Sequence, residues 1–307
     1  MKYLIIGAGG TGGSIGAFMT EAGKDLTVID RGMHLEAIQN HGLKMETSRK
    51  GNYTVYPMKA WDMEHYNEHP DVIFNCVKDY SLMDTIPFIK RAAHKDTIII
   101  PILNIYGTGG RMQKLLPDLL VTDGCIYISA EIKEPGIILQ KGDIFRVVFG
   151  VRNPEDYRSV LEQVAADLED SGITSIISDN IRRDALQKFS YVSPMAACGV
   201  YYDINAGAAQ REGKERDTFI ALMREIEALA QAMDIHFNVD IVESNLEILD
   251  NLSPTASTSL QRDLKQGKDS EMNGLIFEVL RLGRNYGVNL PTYEMIAEKL
   301  GFKAENR

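Results

Sequence analysis

A single lysine interrupts an apolar stretch, "DALQKFSYVSPMAACGVYY", at residues 184–202. If this stretch is helical, residues three or four positions apart share one face, which groups Lys188 with Ala185, Val192 and Ala196. An unpaired buried charge is costly, so the ammonium must reach water, find an acid or take part in a reaction. Lys188 is therefore the first candidate catalytic residue. The alternative is a lysine whose aliphatic stem simply extends to solvent.

A glycine-rich turn near the N-terminus is the second candidate for chemistry. Gly7, Gly9 and Gly12 match the pattern G-x-G-x-x-G. In this pattern the first glycine permits a tight turn, the second lets the backbone approach a pyrophosphate, and the third allows close packing. The surrounding residues predict a strand over Tyr3–Ile6, a helix over about residues 11–22 and a second strand over Leu26–Ile29. We therefore predict dinucleotide binding, rather than a purely structural turn, by Gly7, Gly9, Gly10, Thr11 and Gly12.

Two charged residues after the second predicted strand favour different dinucleotides. A carboxylate at Asp30 would accept hydrogen bonds from the ribose hydroxyls of NAD and repel the 2′-phosphate of NADP, whereas Arg31 would attract that phosphate. On these residues NADP is only slightly favoured over NAD.

Two later polar residues are predicted to face the same cofactor crevice. The apolar segments 71–78 and 96–104 are predicted strands that end at Lys78 and Asn104. Ligands of open α/β sheets bind beyond the carboxyl ends of the strands, so both side chains are candidates for cofactor contact. The alternatives are a solvated loop lysine and an asparagine that caps the next helix.

The rest of the first half completes an α/β domain. Three short apolar segments are expected to add antiparallel strands to the same sheet, followed by a helix and a last strand. The segments are 125–132, 136–140 and 145–150, the helix is 154–168 and the last strand is 173–178.

From Asp179 onward amphipathic helices replace strands. The chain is therefore predicted to have a dinucleotide-binding Rossmann-like domain over 1–179 and a helical substrate and catalytic domain over 180–307. The fold class is α/β, with an N-terminal Rossmann-type doubly wound sheet packed against a C-terminal all-helical domain. Ser259, Asp263 and Glu271 are polar groups on apolar helix faces. For Glu271, expected to begin the last long helix, the alternative is an acid favoured by the helix dipole.

Composition excludes several classes of function. The 307 residues carry a net charge of −10 and no compact basic stripe, which argues against nucleic-acid binding while leaving room for a small anionic ligand. The three cysteines are scattered and are expected to be reduced thiols, and no histidine has metal-ligand spacing. No apolar run has the length of a membrane helix or a signal peptide, so we expect a cytoplasmic protein.

Together these residues resemble the ketopantoate reductase (2-dehydropantoate 2-reductase) family, essentially from end to end. The resemblance begins at the glycine turn and continues through Val77, Lys78, Asn104 and "EPGII" at 134–138. Its most specific part is "SLQRDLKQGKDSEMNG", where the matching residues are Ser259, Asp263, Glu271, Asn273 and Gly274.

The resemblance implies reduction of a 2-oxo acid to a 2-hydroxy acid, with ketopantoate, a precursor in pantothenate biosynthesis, as the leading substrate. It implies NADP as cofactor, with NAD possible because of Asp30; it leaves a homodimer open as the assembly. The implied roles are catalysis for Lys188 and Glu271, substrate binding for Asn104, Ser259 and Glu271, and cofactor binding for Asn104, Arg31 and Lys78.

The implied chemistry explains the lysine. Hydride addition to a ketone carbon leaves negative charge on the oxygen, which needs a donor. Apolar surroundings disfavour the charged lysine and bring its proton affinity toward the working pH, so Lys188 would both stabilise the charge and donate the proton. Glu271 is the expected compensating acid.

The chain departs from the family pattern near this lysine. Val192 and Ala196 replace two asparagines, and Ile105 replaces a glycine. Fewer amides favour a more apolar 2-oxo acid as an alternative substrate. A non-catalytic redox sensor is the alternative from another class, but a sensor would not need Lys188 and Glu271.

Overall fold

The computed structural model describes residues 1–302, which divide into two compact units. The first comprises Met1–Leu103 and Gly107–Arg182, and the second comprises Asn104–Tyr106 and the chain from Arg183 onward. The predicted boundary, by comparison, was residue 179, with Asn104 in the first domain.

The first unit contains a six-stranded parallel sheet in the order β5-β2-β1-β6-β7-β8. Its central strand is buried on both faces, and Tyr3, Leu4, Ile5 and Ile6 are all inaccessible to solvent. Continuous apolar runs of this kind are typical of parallel sheets covered by helices. The strands are β1 (Lys2–Ile6), β2 (Asp25–Ile29), β5 (Lys59–Trp61), β6 (Val72–Asn75), β7 (Ile98–Pro101) and β8 (Leu120–Val121).

A second sheet in the first unit corrects the prediction of added strands. Its order is β11-β10-β3-β4, with β9 antiparallel to β10, and it shares no strand with the parallel sheet. The expected strands 136–140 and 145–150 are one long strand, interrupted by a register shift between Lys141 and Arg146. The strands are β3 (Leu43–Thr47), β4 (Gly51–Val55), β9 (Asp123–Glu134), β10 (Ile137–Gly150) and β11 (Thr174–Ile177).

Hydrogen bonding explains why these strands do not extend the parallel sheet. Strand β10 is already paired with β9 along much of its length, and β3 and β11 pair with it at different positions. The predicted last strand, 173–178, is β11 and also belongs here. Five helices complete the unit up to its last residue, Arg182: α1 (Gly10–Glu21), α2 (Gly32–His41), α3 (Leu82–Ala92), α4 (Thr108–Leu115) and α5 (Val160–Asp170).

The second unit is helical, and no strand follows β11 in residues 1–302. Its core is formed by apolar residues from most of its helices, among them Leu186, Phe189, Leu222 and Ile226. The helices are α6 (Ile181–Tyr202), α7 (Ala206–Ala209), α8 (Lys214–Ala232), α9 (Ile241–Asp250), α10 (Ser259–Lys265), α11 (Glu278–Tyr286) and α12 (Pro291–Lys299), with a π-helical turn at Asn273–Phe277. The predicted class, a Rossmann-like domain followed by a helical domain, is confirmed.

None of the helices in the described part of the chain is both long enough and apolar enough to span a bilayer.

Candidate active site

The glycine turn joins β1 to α1 as predicted, and its glycines have different structural reasons. Gly7 has a φ of +92°, and its N–H donates to the Ile29 carbonyl at 2.9 Å. A Cβ on Gly12 would overlap the Gly7 carbonyl oxygen. At Gly9, in contrast, no described atom beyond the immediate neighbours lies within 4 Å of a Cβ position. Gly7 and Gly12 are therefore required by the fold, while Gly9 borders open space.

Gly10 and Thr11 form the first turn of α1, which begins one residue earlier than predicted. Gly10 is required by packing, because a Cβ there would lie 2.5 Å from the Ala130 carbonyl oxygen on β9. The helix is preceded by Gly9 and has no side-chain cap at its N-terminus. Uncapped N–H groups and the helix dipole favour an anion at this position, so the turn fits the pyrophosphate of a dinucleotide.

Asp30 lies at the end of β2 and is bonded to the glycine turn. One carboxylate oxygen accepts from the Ala8 N–H at 2.8 Å, and the other accepts from the Arg31 N–H at 2.8 Å. Arg31 itself is exposed. Asp30 therefore supports the turn in addition to any contact with a ribose.

Lys78 lies in the loop after β6 and immediately before a short 3-10 helix, Asp79–Ser81. Strand β6 ends at Asn75, three residues earlier than the predicted strand. The lysine nevertheless lies beyond the carboxyl end of a central parallel strand.

Lys188 and Asn104 are brought together in the second unit. The Lys188 ammonium donates to the Asn104 side-chain oxygen, with 2.7 Å between Nζ and Oδ1. Lys188 is half-buried, as are Ala185 and Val192 on its face, and Ala196 is fully buried. The alternative role of Asn104 as a helix cap is wrong, because helix α4 is preceded by Gly107 in the left-handed conformation.

Glu271 is buried, with 4% of its surface exposed. It does not begin an ordinary α-helix as predicted: Met272 separates it from the π-helical turn, and α11 starts only at Glu278. The Glu271 carbonyl accepts from the Leu275 N–H at 2.9 Å. Single π-helical turns occur frequently at functional sites, which agrees with a role beyond packing.

Ser259 is the first residue of α10, and Asp263 follows on the same helix. Thr258 and Gln261 form a reciprocal capping box at this N-terminus. Gln261 also donates from Nε2 to the Ile204 carbonyl at 2.7 Å, just beyond the end of α6. It thereby positions the Ser259 helix, a role that sequence reasoning missed although "TSLQ" is a recognisable capping-box pattern.

Ser193 is a second residue that sequence reasoning missed. It lies on α6, five residues after Lys188, and donates to the Leu275 carbonyl in the π-helical turn at 2.6 Å. Its hydroxyl also lies 2.6 Å from the Tyr293 hydroxyl. Because Ser193 already donates to the carbonyl, Tyr293 is the donor in the second bond. This network ties the lysine helix to the segment after Glu271, and its partners are too distant in sequence to leave a local signal.

The cysteines and acids do not suggest other chemistry. All three cysteines are free, and burial raises the pKa of the Cys198 thiol to about 12, which leaves it protonated near neutral pH. Within residues 1–302 no three histidine, cysteine, aspartate or glutamate side chains are grouped as a metal site would require.

These features define a class: a Rossmann-like domain with a glycine-rich turn between β1 and α1, followed by a helical domain in which a lysine is hydrogen-bonded to an asparagine. Models of the two parts of one family match the chain, the ketopantoate reductase PanE/ApbA model over residues 3–154 and its C-terminal model over residues 180–304. The chain belongs to the ketopantoate reductase family, whose members are oxidoreductases.

Individual relatives are distant but similar over their whole length. The uncharacterized oxidoreductase YkpB of Bacillus subtilis is 26% identical and covers 98% of both chains. The PanE/ApbA family ketopantoate reductase of Ralstonia eutropha has a similar structure, with a TM-score of 0.89, 23% identity and coverage of 98% of this chain and 97% of its own. A D-mandelate dehydrogenase in a ternary structure with NADH and anilino(oxo)acetate has a TM-score of 0.85 at 20% identity, covering 97% and 96% of the two chains.

Proposed function

We propose that this protein reduces a 2-oxo acid to a 2-hydroxy acid with a reduced nicotinamide dinucleotide. The observation that carries the proposal is the 2.7 Å hydrogen bond between Lys188 Nζ and Asn104 Oδ1. This bond joins residues 84 positions apart, and both match the family's site residues. A redox sensor would bind the dinucleotide without requiring such a pair.

The glycine turn is the part of the chain that would hold the dinucleotide. Open space beside Gly9 and the uncapped N-terminus of α1 suit a pyrophosphate. When bound, the reduced nicotinamide would supply the hydride for the ketone carbon. The protein's own residues must then manage the charge and the proton on the ketone oxygen.

Lys188 is the group proposed for that task. Asn104 has no charge, so its oxygen orients the ammonium without neutralising it. An oriented ammonium can stabilise the negative charge that grows on the ketone oxygen and then donate its proton to that oxygen. Glu271, which is buried in the same unit, is proposed to bind the substrate, with Ser259 as a second polar contact.

For the substrate we propose ketopantoate first and a more apolar 2-oxo acid second. Ketopantoate is the substrate class of the family to which the chain belongs. The second candidate is favoured by apolar Val192 and Ala196, and a dehydrogenase of an aromatic 2-hydroxy acid has a similar fold. The cofactor is proposed to be NADP, because Arg31 is exposed and its guanidinium would attract a 2′-phosphate.

The test is oxidation of NADPH and NADH, followed by absorbance, with ketopantoate, phenylglyoxylate and aliphatic 2-oxo acids as substrates. We expect turnover of at least one 2-oxo acid, and its loss in the Lys188→Ala protein. Lys214→Ala is the matched control, because Lys214 begins α8 with a largely exposed side chain. Dinucleotide binding without turnover of any 2-oxo acid would favour the sensor instead.

A further inference from the structure

Ala8, between Gly7 and Gly9 in the turn, is hydrogen-bonded through both its backbone N–H and its carbonyl. The Ala8 N–H donates to Asp30 Oδ2 at 2.8 Å, and the Ala8 carbonyl lies 2.9 Å from Nε2 of His34. His34 lies on α2 and is only 8% exposed. Asp30 belongs to the predicted cofactor site and Ala8 lies between two of its glycines, but no motif pointed to His34.

The second ring nitrogen of His34 decides which nitrogen carries the proton. Its Nδ1 lies 3.0 Å from the backbone nitrogen of Gly136, in the turn between β9 and β10. A backbone N–H can only donate, so Nδ1 must be the unprotonated acceptor. Nε2 then bears the hydrogen and donates it to the Ala8 carbonyl. His34 is therefore held as the neutral Nε2–H tautomer.

The contact between His34 and the Ala8 carbonyl also fixes the direction of the Gly9 N–H, because both groups belong to one peptide. The Ala8–Gly9 peptide is trans, so its C=O and N–H point in opposite directions. Because His34 holds the Ala8 carbonyl on one side, the Gly9 N–H is directed to the other. Gly9 is also the turn glycine that borders open space.

We infer that His34 is a positioning residue for the dinucleotide, orienting the Ala8–Gly9 peptide so that the Gly9 N–H donates to the pyrophosphate. The inference rests on the proposed function, since it requires that the turn binds a dinucleotide. Asp30 acts on the other side of Ala8, so the turn is set before the ligand arrives, which lowers the cost of ordering it.

Two substitutions separate the roles of the two ring nitrogens. In His34→Gln the side-chain amide can occupy the place of Nε2 and still donate to Ala8. In His34→Asn the shorter side chain can occupy only the place of Nδ1. It therefore keeps the hydrogen bond from the Gly136 N–H and loses the one to the Ala8 carbonyl. Each variant loses one hydrogen bond, so their stabilities should fall similarly. His41→Asn, at the exposed end of the same helix, is the control.

The experiment measures dissociation constants of the full-length protein for NADPH, NADH and adenosine 2′-monophosphate, which has no pyrophosphate. We expect His34→Asn to weaken both dinucleotides about tenfold, the effect of one oriented hydrogen bond, and to leave the monophosphate unchanged. His34→Gln and His41→Asn should bind like the wild type. Thermal unfolding of each variant shows whether affinity merely follows stability.

The possible failures are distinguishable. A wild-type protein that binds neither dinucleotide would refute the proposed function, and this inference with it. Normal wild-type binding with equal affinities in the Gln and Asn variants would overturn the inference alone. Nitrogen-15 NMR of the wild-type histidine side chains tests it without any variant, since an Nδ1–H tautomer for His34 would also overturn it.

Discussion

The glycine turn and the lysine site are built in opposite ways. The turn is proposed to bind through backbone groups that are close in sequence, from Gly7 to Gly12, and its geometry depends on the lack of side chains. The lysine site relies on side chains from distant segments, and its central pair, Lys188 and Asn104, is separated by 84 positions. Damage to the turn should therefore affect binding or folding, whereas damage to the lysine site should affect turnover.

The largest expected effect is that of Lys188→Ala. Loss of a charge-stabilising proton donor lowers the rate on the order of 10²- to 10⁴-fold. Lys188 is only half-buried and lies outside the glycine turn, so cofactor affinity and thermal stability should change little. Steady-state kinetics together with cofactor titration separates the two quantities. Near-normal kcat in this variant would contradict this comparison, because it would show that Lys188 is not needed for turnover.

Gly12→Ala and Gly9→Ala form a matched pair that separates folding from binding within the turn. A Cβ on Gly12 overlaps the Gly7 carbonyl oxygen, so the free energy of unfolding should fall by about 1–3 kcal/mol. At Gly9 the Cβ meets no described protein atom, so stability should hold while dinucleotide affinity falls by about tenfold or more. Denaturant unfolding and cofactor titration measure the two effects.

Gly110→Ala is the control for this pair. Gly110 lies within α4 and has room for a Cβ. The free energy of unfolding of the variant should therefore rise by about 0.5–1 kcal/mol, with no change in cofactor affinity. If Gly9→Ala behaves like Gly110→Ala, the open space beside Gly9 is not where the dinucleotide binds.

Arg31→Ala should weaken the binding of NADPH by about 30-fold and the binding of NADH hardly at all. A hydrogen bond to a charged group contributes about 1.5–3 kcal/mol, and only NADPH has the 2′-phosphate. Added salt should reduce the preference in the wild type, because Arg31 is exposed. Arg158→Ala, another exposed arginine, serves as the control. An equal loss of affinity for both dinucleotides would show that Arg31 does not contact the 2′-phosphate.

The smallest expected effect sharpens the description of the lysine site. Val192→Asn restores one amide on the lysine face, at a half-buried position where a polar side chain can be accommodated. The ratio of kcat/KM for ketopantoate to that for phenylglyoxylate should rise about fivefold, which corresponds to one modest hydrogen bond of about 1 kcal/mol. An unchanged ratio would show that Val192 does not select the substrate. Ala196 is unsuited to the same test, because it is fully buried.

Elements governed by local rules were predictable from the sequence. The β1–turn–α1–β2 unit was predicted to within about one residue, because glycine conformation and apolar periodicity act over short distances. The helical second half was also predicted, although α12 was not among the predicted helices. The glycine and lysine residues of the candidate site were all identified before their neighbours were known.

Other features depended on pairing between distant segments, which no local pattern encodes. Whether the hairpin of β9 and β10 extends the parallel sheet or forms a second one depends on β3 and β11, which come from far along the chain. The same holds for the partner of Lys188 and for the contacts of Ser193 and His34. Thus the sequence by itself determined the types of elements and the candidate residues. Only the tertiary structure decided which strands pair and which polar groups meet, because hydrogen bonds join whatever the fold brings within about 3 Å.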